Sequence, residues 1–530
     1  MAEIQVAIDR FSELPLEIAH HILSFLPIAD VTRVSSLSKR CSRLHLSNPT
    51  VNFHSFPSES TLTFQKRLKL WNSLDRFLVQ RRNNKVKSFF IYWNPEYHFA
   101  ETEIECHCVL EKRRILGWIR NALRCNVEEH TVFFPTEMPT VGHYLHGNDA
   151  DFPSSVFLCE SLRHLTLHMK SATFEAPSFS TSPTSNLVYL NLGHVTIKDD
   201  KGFCKWVSYC CRFITDLRLE QVYGLEDITI ESSSLESFSV RFPCYFDIDR
   251  LAISGDRIKD IDINWEYDPT RNNNTCVLYI SAPNLKYLKW YGNMLNHQHL
   301  GEMHRLEQVE ISLSSYHVND LDRVCEQLLR SISSVKYLRL DQVTAKTVFR
   351  EGFTPAPLGN VCYFCMWIWC NIDDKLVAAM TSLFRAVPNL TTLAVSSYPE
   401  FPFLGGGTNL SGFDKGYWEL QRFDFISNLE QVTMELTSGS NGYELAKYLL
   451  EHACNLKMMW VITTPDQSSL VPEISRSNRT SNATVVILEK RRPNRTSSTT
   501  PDQSSVGYEL VKFTASSSSL MTKSHVEMNV

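Results

Sequence analysis

One short pattern recurs through most of this sequence: apolar-x-x-apolar-x-apolar. It stands as Leu162, Leu165, Leu167, then as Leu187, Leu190, Leu192, and again as Ile214, Leu217, Leu219. It continues as Leu235, Phe238, Val240, as Ile258, Ile261, Ile263, and as Leu285, Leu288, Trp290. Leu306, Val309, Ile311 and Val335, Leu338, Leu340 follow, and weaker copies start at Val86, Val127, Val361, Leu390, Leu429 and Leu456. The closing apolar-x-apolar is a short strand whose alternate residues point inward. First positions in the series lie mostly 21 to 29 residues apart. A unit of that size buries its apolar face only against its neighbours, so the pattern predicts a curved solenoid of parallel strands. Several copies also carry a helical period just before the strand: Phe203, Trp206, Val207, Cys210 before Ile214, and Leu321, Val324, Cys325, Leu328 before Val335. The same holds for Leu376, Val377, Met380, Leu383, Phe384 before Leu390 and for Leu445, Tyr448, Leu449 before Leu456. The fold class expected is α/β. The spacing varies and no Asn/Cys ladder position is kept, so the repeats read as irregular, and the longest late gap holds Gly405–Gly407.

The first fifty residues read differently, as two or three short amphipathic helices. Pro15 suits a helix start, where its missing N–H costs nothing. Ile18, Ile22 and Leu26 then recur every four residues beside Ala19 and Leu23, forming one apolar stripe. Pro27 ends that helix, Asp30 suits the next N-cap, and Val31, Val34, Leu37, Cys41 and Leu44 fall on a common face. So small a helical unit cannot cover its own apolar surface. Either it packs on the rest of the chain, or part of the stripe is a partner-binding face of the helix-in-groove kind.

Composition narrows the classes. The 530 residues carry a net charge of −5 and are 43% hydrophobic, a balance that suggests neither a nucleic-acid scaffold nor a polybasic membrane binder. No run approaches the length of a membrane span, and Met1 to Arg10 lacks the features of a signal peptide. The protein is therefore expected to be soluble and intracellular, in nucleus or cytoplasm. Fifteen cysteines read as small buried hydrophobes in a reducing compartment. Cys362 and Cys365 form a C-x-x-C, but no second pair or His pair follows at zinc spacing, and Cys106-His107-Cys108 is too tightly spaced by itself, so no metal and no cofactor is expected. No phosphate loop, G-x-S-x-G, H-E-x-x-H or dinucleotide fingerprint occurs, which speaks against an enzyme. After about Glu489 the chain turns rich in Ser, Thr, Asn and Arg, with TTPDQSS at Thr463–Ser469 repeated at Thr499–Ser505. That composition predicts a disordered tail.

With these residues in view, Asp9 to Val51 resembles a plant-type F-box. Leu14-Pro15, the ILSFLP stretch Ile22 to Pro27, Asp30-Val31 and LSKR at Leu37 to Arg40 match in order and spacing. Cys41 departs from the pattern, which usually has Trp there. The repeats resemble those of plant F-box/leucine-rich-repeat (LRR) proteins, with WIRNAL (Trp118 to Leu123), Val127, His130 and Val132 as an early helix–strand unit. Tyr417 to Ile462 resembles the FBD module that closes many of them. The organisation implied is an F-box at 9–51, an LRR solenoid at 52–412, an FBD-like module at 413–488 continuing it, and the tail at 489–530.

The resemblance implies a non-catalytic substrate-recognition subunit of a Skp–cullin–F-box ubiquitin ligase. Such a subunit docks a Skp-type adaptor, and through it cullin and RING subunits, while the solenoid holds a protein substrate. No nucleic acid and no membrane enters this scheme. The adaptor contacts implied are Leu14 and Pro15 at the leading edge, then Ile18, Ile22, Leu23 and Leu26. Val31, Val34 and Leu37 supply the second helix, and Arg40 a polar rim. Outward strand positions open to a substrate include Arg163, His164, Tyr189, Arg218, Lys286, Tyr287, Gln308, Lys336 and Tyr337, which a solvated polar face explains equally well. The cluster Tyr363, Phe364, Trp367 and Trp369 reads as core. The rival function is an LRR protein-binding scaffold or regulator acting outside a ubiquitin ligase.

Overall fold

Prolines and serines set the first helices. In the computed structural model α1 (Leu16–Ser24) and α2 (Ile28–Ser35) each start behind a proline, Pro15 at φ −54° and Pro27 at φ −58°, angles already close to helical. Asp30, expected as an N-cap, lies instead in the first turn of α2 and pairs with Arg33 at 2.7 Å. The second helix is also shorter than the pattern suggested. Ser35 and Ser36 hydroxyls turn back onto the Thr32 and Arg33 carbonyls, and Ser38 caps a new helix, α3 (Lys39–Ser47), accepting from Cys41 N at 3.0 Å. Leu37 therefore sits in a turn and not on a helix face.

The structure describes residues 11, 13–54, 64–81, 84–93, 107–134, 150–178, 184–242, 248–266, 276–314, 318–397, 416–436, 439–463, 471–477, 479–491 and 509–514. It divides into two units, Met1–Ile258 and Lys259–Val530. After the three helices the first unit runs β1 (Thr50–His54), α4 (Phe64–Arg81), β2 (Ser88–Tyr92), α5 (His107–Arg124), β3 (Glu129–Phe134), β4 (Ala150–Asp151), β5 (His164–Phe174) and β6 (Tyr189–Ile197). It continues with α6 (Asp200–Lys205), which passes into a π-helical turn at Trp206–Cys210, then β7 (Asp216–Glu220), β8 (Asp227–Glu231), β9 (Ser237–Arg241) and β10 (Arg250–Ser254). Strands β1, β2, β3, β5, β6, β7 and β9 pair in that order, all parallel, with β4 beside β5. β8 and β10 form a separate parallel pair.

The second unit holds β11 (Asp260–Trp265), β12 (Val277–Ser281), β13 (Tyr287–Asn293), β14 (His297–Leu300), β15 (Gln308–Ser314), α7 (Leu321–Ser331), β16 (Tyr337–Asp341), α8 (Gln342–Val348) and β17 (Tyr363–Ile368). Then come α9 (Asp374–Ala386), β18 (Thr392–Ser397), β19 (Gln431–Glu435), α10 (Asn441–His452), β20 (Met458–Thr463), α11 (Val471–Arg476), β21 (Thr484–Arg491) and β22 (Glu509–Thr514). Strands β11, β13 and β15 through β21 form one parallel ladder, and β22 adds to β21 antiparallel. β12 and β14 pair apart from it. Of the stretch 489–530, the described residues are the end of β21 and β22; the rest, with the second TTPDQSS copy up to Ser505, lies outside them, as do Cys106 and Gly405–Gly407.

The repeat pattern marks the core of both units. None of the eight apolar triplets from Leu162 to Leu340 has a member more than 3% exposed. All four helical segments expected before strands form, as α6 with its π-turn, α7, α9 and α10. Where the sequence lacks that helical period, between Asp227 and Leu300, short strands β8, β10, β12 and β14 take the return path. Aspartates cap α6, α7, α8 and α9: Asp199, Asp320, Asp341 and Asp373 each accept the N–H three residues on, satisfying donors the helix leaves open.

A polar ladder is present after all, at another position. The residue just before the first apolar position reaches back one repeat. Asn360 Nδ2 donates to Ser333 O at 3.1 Å, Asn389 to Gly359 O at 2.8 Å, Asn428 to Pro388 O at 3.2 Å and Asn455 to Ser427 O at 2.6 Å. Asn186 makes the same bond to Glu160 O in the first unit, at 2.7 Å. Each amide thus locks one repeat to the carbonyl entering the previous one.

Candidate functional site

The three N-terminal helices close a miniature core of Ala19, Leu23, Val31 and Leu44, with Phe11, Leu14, Leu26 and Val34 packed against it. They are fixed to the following elements through α3: the His45 and Phe77 rings lie 4.6 Å apart, and Asn84 Nδ2 donates to Leu46 O at 3.1 Å. Burial, with the nearby Arg81 charge, pushes His45 down to about 4, so it packs as a neutral ring that meets Thr32 Oγ1 at 3.2 Å. Arg81 is 1% exposed; its Nη2 donates to Lys85 O at 2.9 Å, while Nε and Nη1 have no hydrogen-bond partner among the described residues.

This core uses only half of the apolar surface of α1. At 100° per residue, Ala19, Leu23 and Leu26 point one way, and Ile18, Ile22 and Phe25 form the neighbouring stripe at i, i+4, i+7. The second stripe is left outside: Ile18 is 48%, Ile22 40% and Phe25 71% exposed, with Leu16 at 50% on the other flank. Leu37, in the turn after α2, is 74% exposed. An apolar set this dense on so small a unit is the kind of surface that marks a protein contact.

The ten residues named from sequence therefore divide. Pro15, Ile18, Ile22, Leu37 and Arg40 are exposed; Leu14, Leu26 and Val34 are half-buried against the core; Leu23 and Val31 are within it, each at 1%. Arg40 is bound as well as exposed, since its Nη2 donates to the Leu14 carbonyl. It holds the start of α1 against α3. Phe25 and Leu16 are exposed beside this set without being named from sequence; Phe25 follows Ile18 by seven residues, whereas a strict four-residue spacing lands on Leu26. Cys41, in the place of the usual Trp, is buried at 2%.

On the ladder strands, Arg163, His164, Arg218, Lys286, Lys336 and Tyr337 are exposed and Tyr189, Tyr287 and Gln308 half-buried, all on the surface. The Arg218 guanidinium lies 5.6 Å from the Tyr189 ring centre. Of the expected aromatic core cluster, only Phe364 is buried; Tyr363, Trp367 and Trp369 are half-exposed, because outward strand positions alternate with inward ones. Among the described residues no group of three or more His, Cys, Asp or Glu is placed to hold a metal, and no helix is long and apolar enough to cross a membrane.

A family model of the F-box domain matches residues 11–44, the three helices and their exposed stripe. A second, described as "FBD-associated F-box protein At5g56370, LRR repeats", matches 115–319. This chain carries an F-box and leucine-rich repeats. Arabidopsis thaliana proteins of the same build align with nearly all of this F-box/LRR chain. "F-box/FBD/LRR-repeat protein At2g26030" is 22% identical over 91% of this chain and 99% of its own length. "F-box/FBD/LRR-repeat protein At1g78750" is also 22% identical, over 91% and 96%, and "F-box/LRR-repeat protein 13" is 23% identical over 85% and 89%.

Proposed function

We infer that this F-box/LRR chain is the substrate-recognition subunit of a Skp–cullin–F-box ubiquitin ligase, acting in nucleus or cytoplasm. The observation that carries the reading is the stripe Ile18, Ile22, Phe25, which the F-box leaves open although its own core lies one helix face away. The stripe, with Leu37 and Pro15, docks a Skp-type adaptor, which brings the cullin and RING subunits. Leu23 and Val31 support this face from beneath. Leu14 and Arg40 fix its leading edge through their mutual bond. The chain performs no bond chemistry. Its part is to hold a client lysine near the activated ubiquitin carried by the rest of the ligase, raising the effective concentration of the reacting groups. The ladder strands, together with the FBD-like stretch 413–488 that continues them, hold the client.

The test is co-purification of the full chain with a Skp-type adaptor, native and as Ile22→Asp/Phe25→Asp. Two buried carboxylates at a contact centre should abolish retention of the adaptor, while exposed positions leave the melting temperature nearly unchanged. Retention of the adaptor by the double variant would overturn the assignment of this face. Failure of the native chain to retain any adaptor would favour the rival reading, a scaffold outside the ligase.

A further inference from the structure

Helices α4 and α5 carry a charge that neither adaptor docking nor the ladder strands use. Their ten Lys and Arg against two Asp and Glu amount to +8, in a chain whose total is −5, so the remainder carries −13. Both acids are engaged within the fold. Glu111 is 3% exposed and accepts from Trp93 Nε1 at 2.8 Å. Asp75 is held at the joint between the two helices, by Arg114 Nη1 and Trp118 Nε1, each at 2.6 Å. Each helix runs back from one parallel ladder strand to the next, so the two lie side by side and point the same way. At 100° per residue, Lys69 and Arg76 share the outer pole of α4, and Arg113, Arg120 and Arg124 that of α5. All five are exposed, and none has an ion pair or a side-chain hydrogen bond among the described residues. Arg120 and Arg124, four apart, repel one another. Gly117 lies in the same stripe, between Arg113 and Arg120. A glycine inside a helix weakens it, and a side chain here would meet nothing within 4 Å, so the fold's own packing does not call for one. Both features cost the isolated chain stability. Together they leave a row of cations with an opening down to the helix backbone.

We propose that the outer groove between α4 and α5 receives an acidic helix of a partner protein, its carboxylates repeating along one face. Lys69 and Arg76, like Arg113 and Arg120, are seven residues apart, about 10.5 Å along the axis, the rise that also separates carboxylates at i and i+7 of a helix laid alongside. Asp75 meets both Arg114 and Trp118, which sets the turn holding Gly117 level with the middle of α4, so cations flank the opening from both helices. The partner's helix comes closest over Gly117, where no side chain holds it off. A nucleic acid or an anionic membrane shares the carboxylates' charge, but two observations favour the helix. Trp71, Phe77 and Trp118 are all buried and offer no ring on which a base could stack. An extended polyanion would also meet the field of the −13 remainder, whereas a short helix covers the cations alone. This surface is separate from the stripe on α1, and its occupation does not depend on the adaptor.

The experiment uses the full chain and fluorescein-labelled alanine-based helices about 20 residues long, enough to be helical in water, followed by fluorescence anisotropy. One peptide carries Glu along a single face at i, i+4, i+7 spacing; a second has the same composition with Glu spread round the helix; a third has Gln in place of Glu. A uridine oligonucleotide and vesicles of equal parts phosphatidylcholine and phosphatidylserine are tested beside them, the vesicles by co-sedimentation. The one-face peptide should bind about tenfold tighter than the spread one, and the Gln peptide weakest. Arg113→Glu/Arg120→Glu should weaken the one-face peptide by more than about tenfold with the melting temperature retained, since like charges then face each other. Gly117→Gln, which fills the opening with a good helix former, should raise the melting temperature and yet weaken the same peptide about tenfold. A purely structural role for this stripe would not separate those two readouts. The proposal fails if the one-face peptide does not bind, if it binds no better than the spread one, or if either variant leaves its affinity unchanged. Tighter binding of the oligonucleotide or the vesicles than of the one-face peptide would assign the stripe to that partner and overturn the acidic helix.

Discussion

Arg81 shows how one residue can stand against its surroundings. Its guanidinium is enclosed at the junction of the F-box with the first strands, faces the Phe77 ring at 5.8 Å, and has two nitrogens unbonded among the described residues. Burial lowers its pKa to about 10. A buried cation with no counter-charge among the described residues keeps its desolvation cost uncompensated, and replacing even buried ion pairs by packed apolar side chains is often stabilising, by about 1–4 kcal/mol. Arg81→Met is therefore expected to raise the melting temperature, measured by calorimetry on the full chain. Single residues also explain what the sequence concealed at the exposed stripe of α1. Leu23 and Ile22 are adjacent, equally apolar and both on α1, yet one is core and the other is open. No composition distinguishes them; the position of α3, which carries Leu44 into the core, decides it.

At the level of elements, the strands were the most legible part of the chain, because a buried strand requires apolar residues at fixed offsets. Leu217 and Leu219, or Leu338 and Leu340, announce their strands without help. On the return path β14 was illegible for the converse reason: only Gln298 is buried, and His297 and His299 are exposed, whereas β8, β10 and β12 do alternate, through Ile228/Ile230, Leu251/Ile253 and Leu278/Ile280, outside the recurring triplets. The asparagine ladder was hidden by its displacement from the expected position. Its contribution is testable. In Asn360→Ala, Asn389→Ala, Asn428→Ala and Asn455→Ala each change removes one bond between repeats, so each should cost about 0.5–1.5 kcal/mol in urea unfolding. The effects should add for pairs several repeats apart, since distant sites couple weakly.

Across the whole molecule, buried histidines make stability depend on pH. His45 and His130 are 7% and 0% exposed, and burial lowers each from 6.5 to about 4, with Arg81 adding to the effect on His45. His20 and His168 are shifted the same way, burial again being the largest cause. Below pH 6.5 the unfolded chain takes up protons that the folded chain refuses. The stabilisation is complete above about pH 6.5 and is lost as pH falls toward 4, by up to about 1.4 kcal/mol per pH unit for each histidine. Urea titrations from pH 7.5 down to 4.5 should show this slope, and His45→Leu should reduce it by up to one proton's worth.

The reversed direction of β22 has a consequence for how molecules meet. A row of strands all running one way presents, at its last rung, a template that any similar segment from another molecule could extend, and head-to-tail additions of that kind have no natural stopping point. A final strand laid down in the opposite sense occupies that template with the chain's own backbone. Shortening the protein after Arg491 should therefore show itself less as lost stability than as concentration-dependent growth of particles in light scattering.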